Sequence, residues 1–171
     1  ESFSGSIHTA WDPNANGDVN ALAATATALA LDASLDEIVA GLGTFSAAFG
    51  RFERIDAGDR RILMLLIKNP AGANEAVRTL EEGGVPPTLV IALNDRIADG
   101  RDVSWIWDVD FEPLLEQAER IVASGERAAE LALRFTYSGF PQSQLEVIPD
   151  LREALDRGLA LVPPGGELGV L

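Results

Sequence analysis

Residues 61–93 read RILMLLIKNPAGANEAVRTLEEGGVPPTLVIAL. A strand is expected at Arg61–Ile67, where an unbroken apolar run begins at Ile62, and is followed by a turn-forming Lys-Asn-Pro-Ala-Gly stretch and then a helical pattern at Asn74–Glu82. The chain breaks at Gly83-Gly84 and Pro86-Pro87 before a second apolar run, Thr88–Leu93. Strands that alternate polar and apolar residues have one face in water, whereas continuous apolar strands are buried on both. A strand–helix–strand unit of this kind is the repeat of a parallel sheet with helices packed on its two faces.

Moving toward the C-terminus, the alternation continues. Strands are expected at Arg120–Ala123, Glu146–Ile148 and Leu168–Leu171, with helices at Phe111–Gln117, Glu126–Tyr137 and Leu151–Gly158. Toward the N-terminus the pattern is helical, at 18–31 and 35–48. Ser34 is placed as the N-cap of the second helix, with Glu37 three residues on as its capping-box partner. The first helix is so alanine-rich that it needs a packing partner. The boundary falls at the Phe49-Gly50-Arg51 turn, which gives an N-terminal segment over 1–49 and an α/β domain over 50–171. The fold class is α/β, a doubly wound, mostly parallel sheet with helices on both faces.

Composition narrows the chemistry. Hydrophobic residues make up 47% of the 171 and charged residues 23%, a mixture that supports a packed core. Thirteen Lys and Arg stand against 27 Asp and Glu, a formal charge of −14, so nucleic-acid binding lacks its cationic driving force. No apolar run approaches the ~20 residues of a membrane-spanning helix, and no secretory signal is visible, so a cytoplasmic location is expected. The chain has no Cys and one His, His8, so a Cys/His or Ser/His/Asp site cannot be assembled from it without help. No G-x-x-x-x-G-K-[ST] loop is present to cradle phosphates. If the chain takes part in catalysis, essential groups come from elsewhere.

In a doubly wound sheet ligands gather at the carboxyl ends of the strands. Three loops are expected there: Lys68–Asn74, Asn94–Trp107 and Ser124–Arg127. The first and third place Gly, Asn or Ser at a helix start, which suits either an anion or ordinary capping. The second is unusual. It interleaves Asp95, Asp99, Asp102, Asp108, Asp110 and Glu112 with Trp105, Ile106, Trp107 and Phe111. The acids lack the spacing of a calcium loop. Two readings remain: a protein interface anchored by Trp with one carboxylate reaching a partner's basic group, or Trp rings of the domain's own core with the acids facing water.

A set of motifs carries a family resemblance: Asn20-Ala-Leu-Ala-Ala24, Phe49-Gly-Arg-Phe-Glu53, Lys68-Asn-Pro-Ala-Gly72, Leu93-Asn-Asp95, Ala98-Asp-Gly-Arg-Asp-Val-Ser-Trp105, Trp107-Asp-Val-Asp-Phe-Glu112 and Ser124-Gly-Glu-Arg-Ala128. In order and spacing the chain resembles the C-terminal part of the MurT subunits of lipid II isoglutaminyl synthase, relatives of the Mur peptide ligases. The resemblance implies a Mur ligase C-terminal domain-like fold, with 18–48 as the last helices of a central ATP-binding domain that is otherwise missing. It implies a two-subunit amidotransferase in which a GatD-like glutaminase releases ammonia and the ligase subunit, with ATP and magnesium, amidates the D-glutamate α-carboxylate of lipid II. By the same resemblance Asp102 matches the aspartate that completes the glutaminase Cys/His site. Arg51 approaches the nucleotide, and Lys68 and Asn69 face the same cleft. No metal site and no tightly bound cofactor are expected in this chain itself, and alone it is expected to be inactive. The competing readings are a non-catalytic, receiver-like α/β interaction domain and a Mur- or folate-type ligase fragment with no glutaminase partner.

Overall fold

The computed structural model of the chain describes residues 16–44, 51–96 and 101–171. His8, Asp99 and the Phe49-Gly50 pair lie outside them. The chain divides into two compact units after Ser46.

The first unit holds α1 (Asn16–Ala30) and α2 (Leu35–Thr44). The end of α1 is closed by two reversed bonds, Asp32 N–H to Leu29 C=O and Ala33 N–H to Ala28 C=O, with Asp32 in the left-handed region at φ 62. The expected capping box opens α2: Ser34 Oγ accepts from Glu37 N–H, and Glu37 Oε2 accepts from Ser34 N–H at 2.9 Å. Bonds from the Ser34 hydroxyl and then its amide hold the Glu37 carboxyl below its usual pKa.

The second unit is the α/β domain. Its strands are β1 (Arg51–Ala57), β2 (Arg60–Leu65), β3 (Thr88–Ala92), β4 (Arg120–Ser124), β5 (Leu145–Val147) and β6 (Glu167–Val170), in the order β1-β2-β6-β3-β4-β5. All neighbours are parallel except β1 and β2. The helices are α3 (Pro70–Gly83), α4 (Glu112–Gln117), α5 (Ala128–Tyr137) and α6 (Leu151–Leu161), with a 3-10 helix at Ser104–Asp108.

Side chains alternate between two cores. Leu63, Leu65, Leu89, Ile91, Ile121 and Ala123 point into the larger one, shared with α3, α4, α5 and the 3-10 helix. Ile62, Val90, Val122 and Leu168 point into the smaller one, against Ala154 and Leu155 of α6. Burial on both faces explains why the strands read as continuous apolar runs.

β1 was not among the strands expected from the sequence. It forms an antiparallel hairpin with β2 across Gly58-Asp59, and Arg51 stands opposite Leu65 with a bulge between Arg51 and Glu53. Phe52, at that bulge, has φ 57 and packs against the larger core. The Trp105–Trp107 segment lies within the 3-10 helix. As a 3-10 helix it sends Trp105 toward the larger core and buries Ile106, while Trp107 stays 48% exposed.

Candidate functional site

The carboxyl edge of the sheet is clamped by backbone bonds between loops. Leu93 N–H donates to Ser124 C=O, Arg127 N–H donates to Leu93 C=O, and Gly125 N–H donates to Pro149 C=O at 3.1 Å. The Asn94 side chain accepts from Glu126 N–H. Three strand ends are thereby tied together at Gly125, whose φ of 87 brings its α-carbon against the Leu93 backbone. Beside the clamp lies a cleft of about 370 Å³ lined by Asn94, Arg96, Glu126, Asp150 and Arg152 among others. Arg96 pairs with Glu126 at 2.7 Å.

These bonds decide the anion question for the first and third loops in favour of capping. Asn69 Oδ1 takes Gly72 N–H at 2.8 Å, its carbonyl takes Ala73 N–H, and Pro70 has no N–H to offer. At the start of α5 the N–H groups of Gly125, Glu126, Arg127 and Ala128 all donate within the protein. An anion would find no free cradle at these amides. Asp95 pairs with Arg127 at 2.9 Å. Glu130 and then Asp95 hold the Arg127 guanidinium firmly protonated. Asp108 ends the 3-10 helix and does not open the next helix, which starts at Glu112.

The predicted site residues fall into two places. Lys68 and Asn69, both exposed, follow the carboxyl end of β2. Arg51 opens the antiparallel β1 opposite Leu65, so its backbone lies at that same edge. Asp102 belongs to the connection between β3 and α4 and is exposed. Its Oδ1 accepts the Ser104 N–H at 2.9 Å, a local turn that caps the 3-10 helix. The Ser104 hydroxyl and then its amide keep the Asp102 carboxyl below its usual pKa, so it is ionised at neutral pH. Its geometry is that of an acceptor held in place from one side and open to solvent on the other.

What holds this loop was not foreseen. Arg134 of α5, 7% exposed, reaches under the 3-10 helix. Its Nε donates to Ile106 C=O at 3.2 Å and its Nη2 to Val109 C=O at 2.7 Å. Its Nη1 donates to Glu112 Oε1 at 2.9 Å and also meets Ser138 Oγ, and Ser138 donates to Glu112 at 2.7 Å. The guanidinium lies 5.8 Å from the Trp107 ring and 5.7 Å from Phe111. The Arg134 hydrogen bond is the main reason the Glu112 carboxyl is pulled down to about 2. A signal existed in the sequence: beside Leu131 and Phe135 on the apolar stripe, Arg134 and Ser138 sit one helical turn apart on the buried side. Elsewhere on the loop, Asn74 Oδ1 accepts Asp110 N–H at 2.9 Å, and Trp107 meets Tyr137 edge-on at 5.8 Å. Among the described residues no three His, Asp or Glu side chains come together as metal ligands.

The family model described as MurT ligase C-terminal matches residues 66–170. The MurT subunit of the glutamine-hydrolysing lipid II isoglutaminyl synthase of Streptococcus pneumoniae is 39% identical over 137 residues, covering 80% of this chain and 31% of the relative. The Staphylococcus aureus MurT subunit is 40% identical over 128 residues, covering 72% of this chain and 29% of the relative. The chain therefore spans about a third of the length of these curated relatives. Among solved structures, MurF of Acinetobacter baumannii superimposes with a TM-score of 0.66 at 27% identity, over 92% of this chain and 34% of that one. The MurC ligase of Thermotoga maritima superimposes with a TM-score of 0.67 at 15% identity, over 92% of this chain and 34% of the other, a likeness of fold.

Proposed function

The chain belongs to the MurT ligase C-terminal family, and from that membership we propose that it is the C-terminal part of the ligase subunit of a two-subunit amidotransferase. In this reading 1–49 end the central ATP-binding domain and 50–171 form the C-terminal domain. The whole subunit acts in the cytoplasm, where ATP is available. It transfers the γ-phosphoryl group of ATP to the D-glutamate α-carboxylate of lipid II. Ammonia from a GatD-like glutaminase then attacks the acyl phosphate, phosphate leaves, and D-isoglutamine is formed. Arg51, Lys68 and Asn69 meet the nucleotide at the sheet edge that follows β2. Magnesium accompanies ATP in the whole subunit.

The observation that carries the glutaminase half is Asp102, ionised, exposed and pinned by Ser104. A chain without Cys cannot supply the nucleophile. Its exposed carboxylate can accept a hydrogen bond from the imidazole of a partner's Cys/His pair, fixing the ring and stabilising its charged form. The test is Asp102→Asn in the assembled complex. In a serine-protease triad the equivalent change costs ~10⁴-fold in turnover, and a thiolate nucleophile depends on the acid less. Glutamine hydrolysis is expected to fall steeply while amidation driven by added ammonia and binding of the two subunits persist. Unchanged glutamine hydrolysis in an intact complex would remove the assignment.

A further inference from the structure

We infer that Arg134 is a positioning residue for Asp102: it acts through the 3-10 helix to hold the carboxylate at the depth and angle a partner's imidazole requires. The inference rests on the role proposed above for Asp102. It starts from a buried cation whose partners, apart from Ser138 at the end of its own helix, lie in one loop and at the start of α4. Among the described residues Arg134 is the only Arg or Lys that is buried. Its donors reach Ile106 C=O and Val109 C=O, the two carbonyls that bracket Trp107-Asp108, and the Glu112 carboxylate where that loop enters α4. The stem of the contact is rigid, because Phe135, the next residue on α5, is fully buried and meets Phe111 edge-on at 5.3 Å.

Asp102 is coupled to the far end of the same helix. It caps Ser104, Val103 and Trp105 pack against the larger core, and Ile106 N–H closes the turn on Val103 C=O at 3.3 Å. A 3-10 helix of five residues has little stability of its own. Its carbonyls are fixed from below by the guanidinium, and its first turn is fixed from above by the aspartate. A planar fork with five N–H donors can hold two carbonyls and a carboxylate at once, whereas a lysine ammonium offers three donors from a single point. Loss of the fork leaves Asp102 on a loosened turn, with its charge intact and its position not.

The test uses the full two-subunit complex and Arg134→Lys, with Glu112→Gln as a second variant that weakens the same staple should the first fold poorly. Four quantities are read: glutaminase kcat and KM, the subunit dissociation constant, and ammonia-driven amidation. A misplacement of about 1 Å in a catalytic group can cost ~10²-fold, so glutaminase kcat is expected to fall about 10-fold to 10²-fold, with KM, subunit binding and ammonia-driven amidation retained. The decisive measurement is the double variant. Placed on Asp102→Asn, the Arg134→Lys change is expected to cost nothing further, since a staple has no effect once the group it positions is disabled. Losses that multiply in the double variant, or an unchanged kcat in correctly folded Arg134→Lys and Glu112→Gln complexes, overturn the inference. An effect of Arg134→Lys with a silent Asp102→Asn overturns the inference and the Asp102 reading together. A strong Asp102→Asn effect with a silent Arg134→Lys overturns the staple alone.

Discussion

Gly125→Ala tests whether the clamp at the sheet edge is as tight as the structure makes it. A Cβ at this position would sit 2.3 Å from Leu93 C=O and 2.9 Å from the Leu93 nitrogen, and these are backbone atoms that cannot rotate away. The φ of 87 adds a conformational cost of roughly 1–2 kcal/mol for any residue with a Cβ. Relief of the clash requires Leu93 C=O to retreat, and that oxygen accepts Arg127 N–H at 3.0 Å, a bond worth about 1 kcal/mol net. Strain and lost bonding together give a destabilisation of about 3 kcal/mol. Urea unfolding of the chain, followed by circular dichroism, reads this as a lower midpoint at unchanged slope. Gly139→Ala is the internal control: its φ of 85 is comparable, but nothing lies within 4 Å of the added carbon. The control therefore carries the conformational cost alone, roughly 1–2 kcal/mol. Equal losses in the two variants, or a loss below about 1 kcal/mol for Gly125→Ala, would refute the clamp.

Phe135→Ala empties a fully buried site beside Phe111 and is expected to cost about 3–5 kcal/mol in the same unfolding experiment. The Glu112 carboxyl is pulled from 4.5 to about 2, so its contribution to stability is present above the usual carboxylate pKa and fades as pH falls toward 2. With 46% of that side chain exposed, solvent screening limits the contribution to roughly 1 kcal/mol. The stability gap between the native chain and Glu112→Gln is expected to close as the solution is acidified, and a gap that widens would reverse the sign of the coupling. Trp107→Ala is expected to leave stability within about 1 kcal/mol while weakening association with the glutaminase of the proposed complex. Trp105→Ala, by contrast, disturbs the fold, because Trp105 packs on the core and Trp107 does not.

The parallel strands were legible because burial on both faces leaves a signature no helix start or surface strand shares, an unbroken apolar run such as Ile62–Ile67 bounded by Pro and Gly. The hairpin partner β1 escaped for the opposite reason. Phe52, Ile55 and Ala57 alternate with charged residues, the pattern of an edge strand with one face in water, and its bulge breaks the two-residue period. The Gly58-Asp59 pair between β1 and β2 was the missed cue. At the site, the unusual mixture of acids and aromatic rings marked the right loop, but spacing could not say which ring is core. In an extended segment Trp105 and Trp107, two residues apart, would share one face, whereas a 3-10 helix of about three residues per turn separates them by rotation. At the helix starts an anion and ordinary capping both stayed open, since the sequence shows the donors but not the Asn69, Asn94 and Pro149 oxygens that satisfy them.

An acid that must serve a catalytic imidazole on another chain faces two opposed demands. It has to be exposed before the partner arrives, which ordinarily means a mobile loop, and it has to be fixed to a fraction of an ångström afterwards. Ordering a loop at the moment of binding would draw on the binding energy, at ~1–2 kcal/mol per residue fixed. In the role proposed for Asp102, this chain separates the demands in space. Asp102 stays in water, while the order is supplied behind it by buried Arg134 on the carbonyls of Ile106 and Val109 and by half-buried Asn74 on the Asp110 amide and Trp105 on the core. The burial of Arg134 is itself the measure of that arrangement. A lone buried guanidinium would be strongly destabilising, and this one is tolerated because each neighbour it satisfies belongs to the loop or to the helix that presents it.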